Sequence, residues 1–219
     1  MSLCFLLKIY CLTCYLLLLF LFVSAHICFF LFFISYLLSL RIFAGFSYYV
    51  GSAGCLVGAS VFGEGNLHAQ LMFIGEGPGQ VEDETGRPFV GPAGQLLDKM
   101  LAAINLKRDD VYICNIVKCR PPYNAVPKPE YAEACMPYLR MQVRCIAPKI
   151  IVCLGKTAVT HILKDTSAMI RIHGKVYDKG RFKIIPTYHP SALLRDESKK
   201  RIAWEDFKVI RDLLEDKDA

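Results

Sequence analysis

From residue 61 onward, short apolar runs alternate with longer stretches whose apolar residues recur every three to four positions. That alternation leaves few folds open. Apolar runs this short fit strands buried on both faces, and the helical stretches between them are the crossovers that a parallel sheet requires. Leu71–Gly75 reads as the first strand, Val111–Val117 as the second, Lys149–Leu154 as the third and Arg181–Pro186 as the fourth. Gly91–Ile104 carries Leu96, Leu97, Met100, Leu101 and Ile104 on one helical face. Pro129 and Glu130 open a helix that runs to Ile146, with proline in the first turn, where its missing N–H is not needed. A short helix follows Gly155, Thr187–Arg195 reads as a loop, and a last helix covers Lys199–Leu214. The expected fold is α/β: a three-layer α/β/α arrangement around a central four-stranded, mainly parallel sheet.

Charge divides the chain differently. Residues 1–50 hold Lys8 and Arg41 and no acidic residue. Setting those two cations aside leaves 24 of the 26 basic residues against all 20 acidic ones in 51–219. That is an ordinary globular balance with a mild positive bias, compatible with a phosphate-bearing partner without demanding one. The expected organisation is therefore an apolar segment over 1–50 and one folded domain over 51–219. Leu12–Val23 and Ile27–Leu40 together exceed the roughly 20 residues that span a bilayer. Three readings of that segment compete: a membrane anchor, a secretory signal, or translation upstream of the true start. The signal reading is the weakest, because the apolar region is too long. A membrane partner is expected only if 1–50 is genuine.

In open parallel sheets, ligands bind beyond the carboxyl ends of the strands. Three polar clusters fall at such ends: Gly75–Gly79, Asn115–Cys119 and His189–Ser191. One Gly/Pro loop, one asparagine or one histidine is common on a plain scaffold. Three converging on one edge of a sheet favour a site.

The wording of those clusters is distinctive. Gly75-Glu76-Gly77-Pro78-Gly79, Glu82-Asp83, Thr85-Gly86-Arg87-Pro88-Phe89-Val90-Gly91 and Ala93-Gly94-Gln95-Leu96-Leu97 follow one another in order. Then come Asn115-Ile116-Val117-Lys118-Cys119-Arg120-Pro121-Pro122, Cys135 in the helix before Pro148-Lys149, and His189-Pro190-Ser191. The ordered set, spanning 61–195, closely resembles the type-4 uracil-DNA glycosylases. The resemblance implies hydrolysis of the bond between uracil and its sugar in DNA. It also implies a cytoplasmic monomer acting on uracil-containing DNA, with no nucleotide cofactor.

That chemistry asks for particular side chains. A stacked base is out of reach, so the nucleotide must be flipped into a pocket. Phe89 is the expected stacking partner, although a core phenylalanine is the plain alternative. Asn115 can accept from uracil N3–H and donate to O4, a pattern that cytosine reverses. His189 would donate to O2 as negative charge develops there. Glu76 would orient the attacking water or stabilise the cationic sugar, or else simply hold its loop. Gly77 and Pro78 wall the base pocket with backbone. Lys118, Arg120, Ser191 and Arg195 are candidate DNA contacts, with Leu193 or Leu194 as a wedge into the base stack.

Type-4 resemblance further implies a 4Fe-4S cluster on four cysteine thiolates. Cys119 and Cys135 fit the second pair. The first pair is not at its usual position, where Tyr48 and Gly51 stand. Cys55 is too close, and Cys11 with Cys14 have the right mutual spacing but sit far upstream. Cys114 and Cys153, in apolar runs, read as buried strand residues. Two other functions stay open at this stage. A uracil-dependent DNA cross-linker would carry a basic insert with a histidine, and Pro121–Pro129 has none. A non-catalytic or membrane-tethered nucleic-acid binder on the same fold would not need Glu76, Phe89, Asn115 and His189 together.

Overall fold

Leu71–Gly75 and Ile150–Leu154 are buried at every residue, as strands covered on both faces should be. They form the middle of one sheet in the computed structural model, which describes residues 60–216. The segment 1–50, with Cys11 and Cys14, lies outside the described residues. The strands are β1 (Glu64–Gly65), β2 (Leu71–Gly75), β3 (Tyr112–Asn115), β4 (Ile150–Leu154), β5 (Tyr177–Asp178) and β6 (Lys183–Thr187). Their spatial order is β1-β3-β2-β4-β6-β5. The inner four are parallel, with Gly75 opposite Asn115 and Leu154 opposite Thr187 at their carboxyl ends. Each edge strand is antiparallel to its neighbour.

The four expected strands are thus the inner four, and the expected count needs correcting to six among the described residues. Both additions are only two residues long. Glu64-Gly65 and Tyr177-Asp178 pair through backbone alone at the sheet edge, so no apolar run announces them.

Helices cover both faces: α1 (Gln80–Thr85), α2 (Pro92–Ala103), α3 (Pro129–Ile146), α4 (Gly155–Leu163), α5 (Met169–Ile172), α6 (Pro190–Arg195) and α7 (Ser198–Glu215). Strand residues alternate between the two faces, as the pleat dictates. Met72, Ile74, Cys114, Ile151 and Cys153 pack with Ala132 and Leu139 of α3 and Val159 of α4. Leu71, Phe73, Ile113 and Val152 pack with Leu97 and Leu101 of α2 and Phe207 and Ile210 of α7. Cys114 and Cys153 are fully buried there, as read. Thr187–Arg195 is not all loop. Pro190 supplies the fixed φ of a first helical residue, and α6 starts at it. Among the described residues, no helix is long and apolar enough to cross a membrane.

One buried polar knot ties α7 to the end of β6. Thr187 Oγ1 donates to Asp206 Oδ2 at 2.6 Å, and His173 Nδ1 lies 2.9 Å from Asp206 Oδ1. Burial raises the Asp206 carboxyl above the usual carboxylate range, although both partners counter that. Replacing Asp206 with alanine leaves the Thr187 hydroxyl buried without an acceptor, and is expected to cost about 1–3 kcal/mol. Urea denaturation checks this: the midpoint should fall with the slope unchanged, and an unmoved midpoint refutes it.

Candidate active site

The chain steps from β2 to β3 on one side and returns to β4 on the other side of β2. A switch of this kind opens a crevice at the carboxyl ends of the strands. The crevice is a cleft of about 800 Å³ whose walls include Glu76, Phe89, Asn115, Thr157, His189 and Arg195. Gly77, Pro78 and Ser191 line it too. The three polar clusters singled out in the sequence therefore do converge.

Asn115 closes β3 at the floor of the cleft. Its side chain is 1% exposed, and neither amide atom has a hydrogen-bond partner in the protein. An unpaired buried amide is costly, by about 1–3 kcal/mol for each group left unmade. Backbone pairing past the strand ends holds it there: Ile116 N donates to Gly75 O at 2.9 Å and Val117 N to Glu76 O at 3.1 Å. Gly75 is required for close approach. A Cβ on it would lie 2.5 Å from Asn115 Oδ1 and 2.5 Å from Phe89 Cζ.

Lys118 corrects an expectation. Read as a phosphate contact, it is 0% exposed. Its Nζ donates to the Asn115 carbonyl at 2.8 Å and to Gln142 Oε1 at 2.6 Å. Gln142 in turn donates to Phe62 O at 2.8 Å and lies 3.2 Å from the Tyr112 hydroxyl. With its donors spent inward, Lys118 braces the Asn115 main chain and cannot reach DNA.

Phe89 sits in the left-handed region at φ 52°, uncommon for a bulky side chain. Its loop is held from two sides. The Glu82 carboxylate accepts from Gly79 N at 3.1 Å, Val90 N at 3.0 Å and Gly91 N at 2.8 Å. Arg108 donates to the Pro88 and Phe89 carbonyls. Neither Glu82 nor Arg108 carries a sequence signal for this role. A buried acid in the first turn of a short helix reveals its role only once the N–H groups around it are known.

His189 faces Phe89 with ring centroids 5.4 Å apart and planes at 36°. Burial, reinforced by the Arg195 cation, lowers its pKa to about 4, so the ring is neutral at pH 7. The Ser191 backbone N–H reaches His189 Nδ1 at 3.1 Å, and the Ser191 hydroxyl lies 2.7 Å from the same atom. An N–H can only donate, so Nδ1 is the acceptor and the proton belongs on Nε2. Gly155 lets this ring close on β4: at φ +85° its absent Cβ would fall 2.9 Å from His189 Cβ.

Glu76 accepts a hydrogen bond from Thr157 Oγ1 in the first turn of α4. Thr157 was missed, because a lone threonine after a strand carries no sequence signal. Around the rim, Arg195 is exposed, and Lys156 and Lys199 join the lining. Arg120 Nε donates to Asn124 Oδ1 at 2.8 Å, bracing the neighbouring loop. The wedge assignment also needs correcting: Leu193 is 1% exposed and packs with Tyr188 and Ala203, whereas Leu194 is 48% exposed at the rim. Consecutive helical positions are turned about 100° apart, and here that turn puts Leu193 inside and Leu194 outside.

A 4Fe-4S cluster needs four thiolates. Among the described residues, Cys119 and Cys135 are both buried, but no group of three or more histidine, cysteine or acidic side chains could hold a metal ion. The described donor set does not make up that cage.

The geometry can be set beside known proteins. Residues 62–208 match the family model described as the uracil DNA glycosylase superfamily. The type-4 uracil-DNA glycosylase of Thermotoga maritima is 47% identical over 158 residues, covering 70% of this chain and 82% of that protein. The type-4 enzyme of Archaeoglobus fulgidus is 45% identical over 159 residues, covering 69% of this chain and 80% of its own length. That of Sulfurisphaera tokodaii is 45% identical over 163 residues, covering 70% and 74% respectively. A sheet with its polar residues gathered at one edge, a family match over most of the described residues and relatives this similar lead to one conclusion: the chain belongs to the uracil-DNA glycosylase superfamily, among its type-4 members.

Proposed function

We propose that the protein hydrolyses the N-glycosidic bond of uracil in DNA, releasing free uracil and leaving an abasic site. The observation that carries this reading is the Asn115 carboxamide, buried at the cleft floor with both polar atoms unpaired. A flipped uracil offers the complementary pair, N3–H to Asn115 Oδ1 and O4 to Nδ2. Cytosine presents the reverse pattern and would leave those groups unmatched. The names of the type-4 relatives, uracil-DNA glycosylases, support the same substrate.

Each wall of the cleft then has a role. Phe89 stacks on the base. His189 Nε2–H points its dipole at O2, where charge accumulates as the bond to the sugar breaks. A neutral imidazole suits that task, because the hydrogen bond strengthens as the uracil anion forms. Glu76, held by Thr157, is placed to orient water or to stabilise the oxocarbenium-like sugar. Arg195 and Lys199 at the rim carry the charge that phosphates need. Leu194 is the side chain available to fill the gap left by the flipped nucleotide. Cys119 and Cys135 are the described thiols that would serve a cluster, and no step of the reaction is assigned to one.

The test is a purified chain on a uracil-containing oligonucleotide, with alkali to cut abasic sites. Strand cleavage after alkali is expected, and intact oligonucleotide that the protein nevertheless binds would overturn the reading. Asn115→Ala is expected to lower the uracil excision rate by about 100-fold or more and to narrow the preference for uracil over cytosine. His189→Ala should lower kcat by about 10²–10³ with little change in KM. Wild-type turnover in either variant would place the base elsewhere.

A pH series examines His189 separately. Its folded pKa of about 4 lies below the ordinary value near 6.5. The neutral ring therefore contributes stability in full above that ordinary value, and the contribution is lost as pH falls toward the folded pKa. Excision by wild type is expected to show no inflection near pH 6.5 that His189→Gln removes. Such an inflection would mean the ring titrates normally.

A further inference from the structure

We infer that Arg108 is a positioning residue for the reaction, acting by holding Phe89 in its left-handed conformation. The inference rests on the reading of Phe89 as the ring that stacks on the base. Arg108 lies in the 3₁₀ turn Arg108–Asp110 just before β3, outside the cleft lining. Its guanidinium donates through Nη1 to Phe89 O at 2.9 Å and through Nη2 to Pro88 O. Two carboxylates aim the guanidinium: Glu64 Oε1 at 3.5 Å and Asp98 Oδ1 at 3.2 Å.

The ion pairs alone do not explain this arginine. Asp98 is 46% exposed and Glu64 28% exposed, and Glu64 already has Arg87 at 2.6 Å. Pairs as open as these contribute little to stability. The two carbonyls are different. They belong to consecutive residues, the second of which is in a conformation unfavourable for phenylalanine. A planar fork can hold two acceptors at a fixed separation, which a lysine ammonium cannot do with the same rigidity. From the far side, Glu82 holds the next two N–H groups, Val90 and Gly91. Four consecutive residues are thus fixed by one cation and one anion. Gly94 completes the fit, since a Cβ there would come within 1.8 Å of Phe89 O. Strained residues at sites persist when their surroundings over-determine them, and Arg108 supplies half of that constraint.

A double-mutant cycle tests this in the full-length protein. Single-turnover excision is measured for wild type, Arg108→Met, Phe89→Ala and the double variant. Each is assayed well below its own Tm, alongside affinity for uracil-containing DNA. Arg108→Met is expected to lower the excision rate by about 10- to 100-fold, as misplacement of a substrate-orienting group does, with DNA affinity held within about twofold. Arg108→Lys, with charge but no fork, should fall between Arg108→Met and wild type. In the Phe89→Ala background, Arg108→Met should cost less than about twofold, because the residue it positions is gone. An undiminished cost in that background, or a wild-type rate in Arg108→Met, would overturn the inference. If Arg108→Met does not fold, Arg108→Lys takes its place in the cycle. A wild type that excises no uracil would instead defeat the proposed function, so the two failures are distinct.

Discussion

The Asn115 carboxamide, buried at the tip of the central sheet with no hydrogen-bond partner in the protein, is the constraint around which the rest of the cleft is arranged. A folded protein gains nothing from a buried amide with no partner. It is tolerable where a ligand completes it. Its neighbours keep it in that state: Gly75 leaves no Cβ to fill the space between Asn115 and Phe89, and Lys118 takes the Asn115 carbonyl rather than its side chain. Lys118 satisfies the backbone and leaves the side-chain amide unpaired.

Charge is handled in the same manner, inward for support and outward for contact. Lys118 and Arg108 spend their donors on main-chain carbonyls of Asn115, Pro88 and Phe89. Glu82 does the converse for three N–H groups. Arg195, at the rim, faces solvent and also helps keep His189 neutral. Its positive charge sets up a field that disfavours a second cation on the neighbouring imidazole.

The sheet gives these contacts their precision. Asn115, Glu76, Thr157 and His189 come from the ends of β3, β2, β4 and β6, and the register of parallel strands sets their mutual heights. The Asp206 knot fixes the β6 end two residues before His189. Helices on both faces keep the strands from sliding, because a slip would turn buried residues toward the wrong layer.

Much of this was legible in the order of residues alone. Periodicity gave the inner four strands and the principal helices, since burial on both faces of a sheet and on one face of a helix leaves a repeat in the chain. Strand ends, with Gly/Pro loops, Asn115 and His189 behind them, marked the end of the sheet where the cleft opens. Local pattern could not say which way a side chain turns. Lys118 and Arg195 look equally basic in sequence, and so do Leu193 and Leu194 equally apolar, yet each pair is split between interior and rim. The two-residue edge strands, the left-handed turn at Phe89 and the proton on His189 Nε2 likewise depend on groups far away in the chain. Sequence determined the inner strands and the longer helices, because those follow from the burial pattern of neighbours a few residues apart. Tertiary structure decided which donors point inward and which strain is held, because those depend on partners brought together only by the fold.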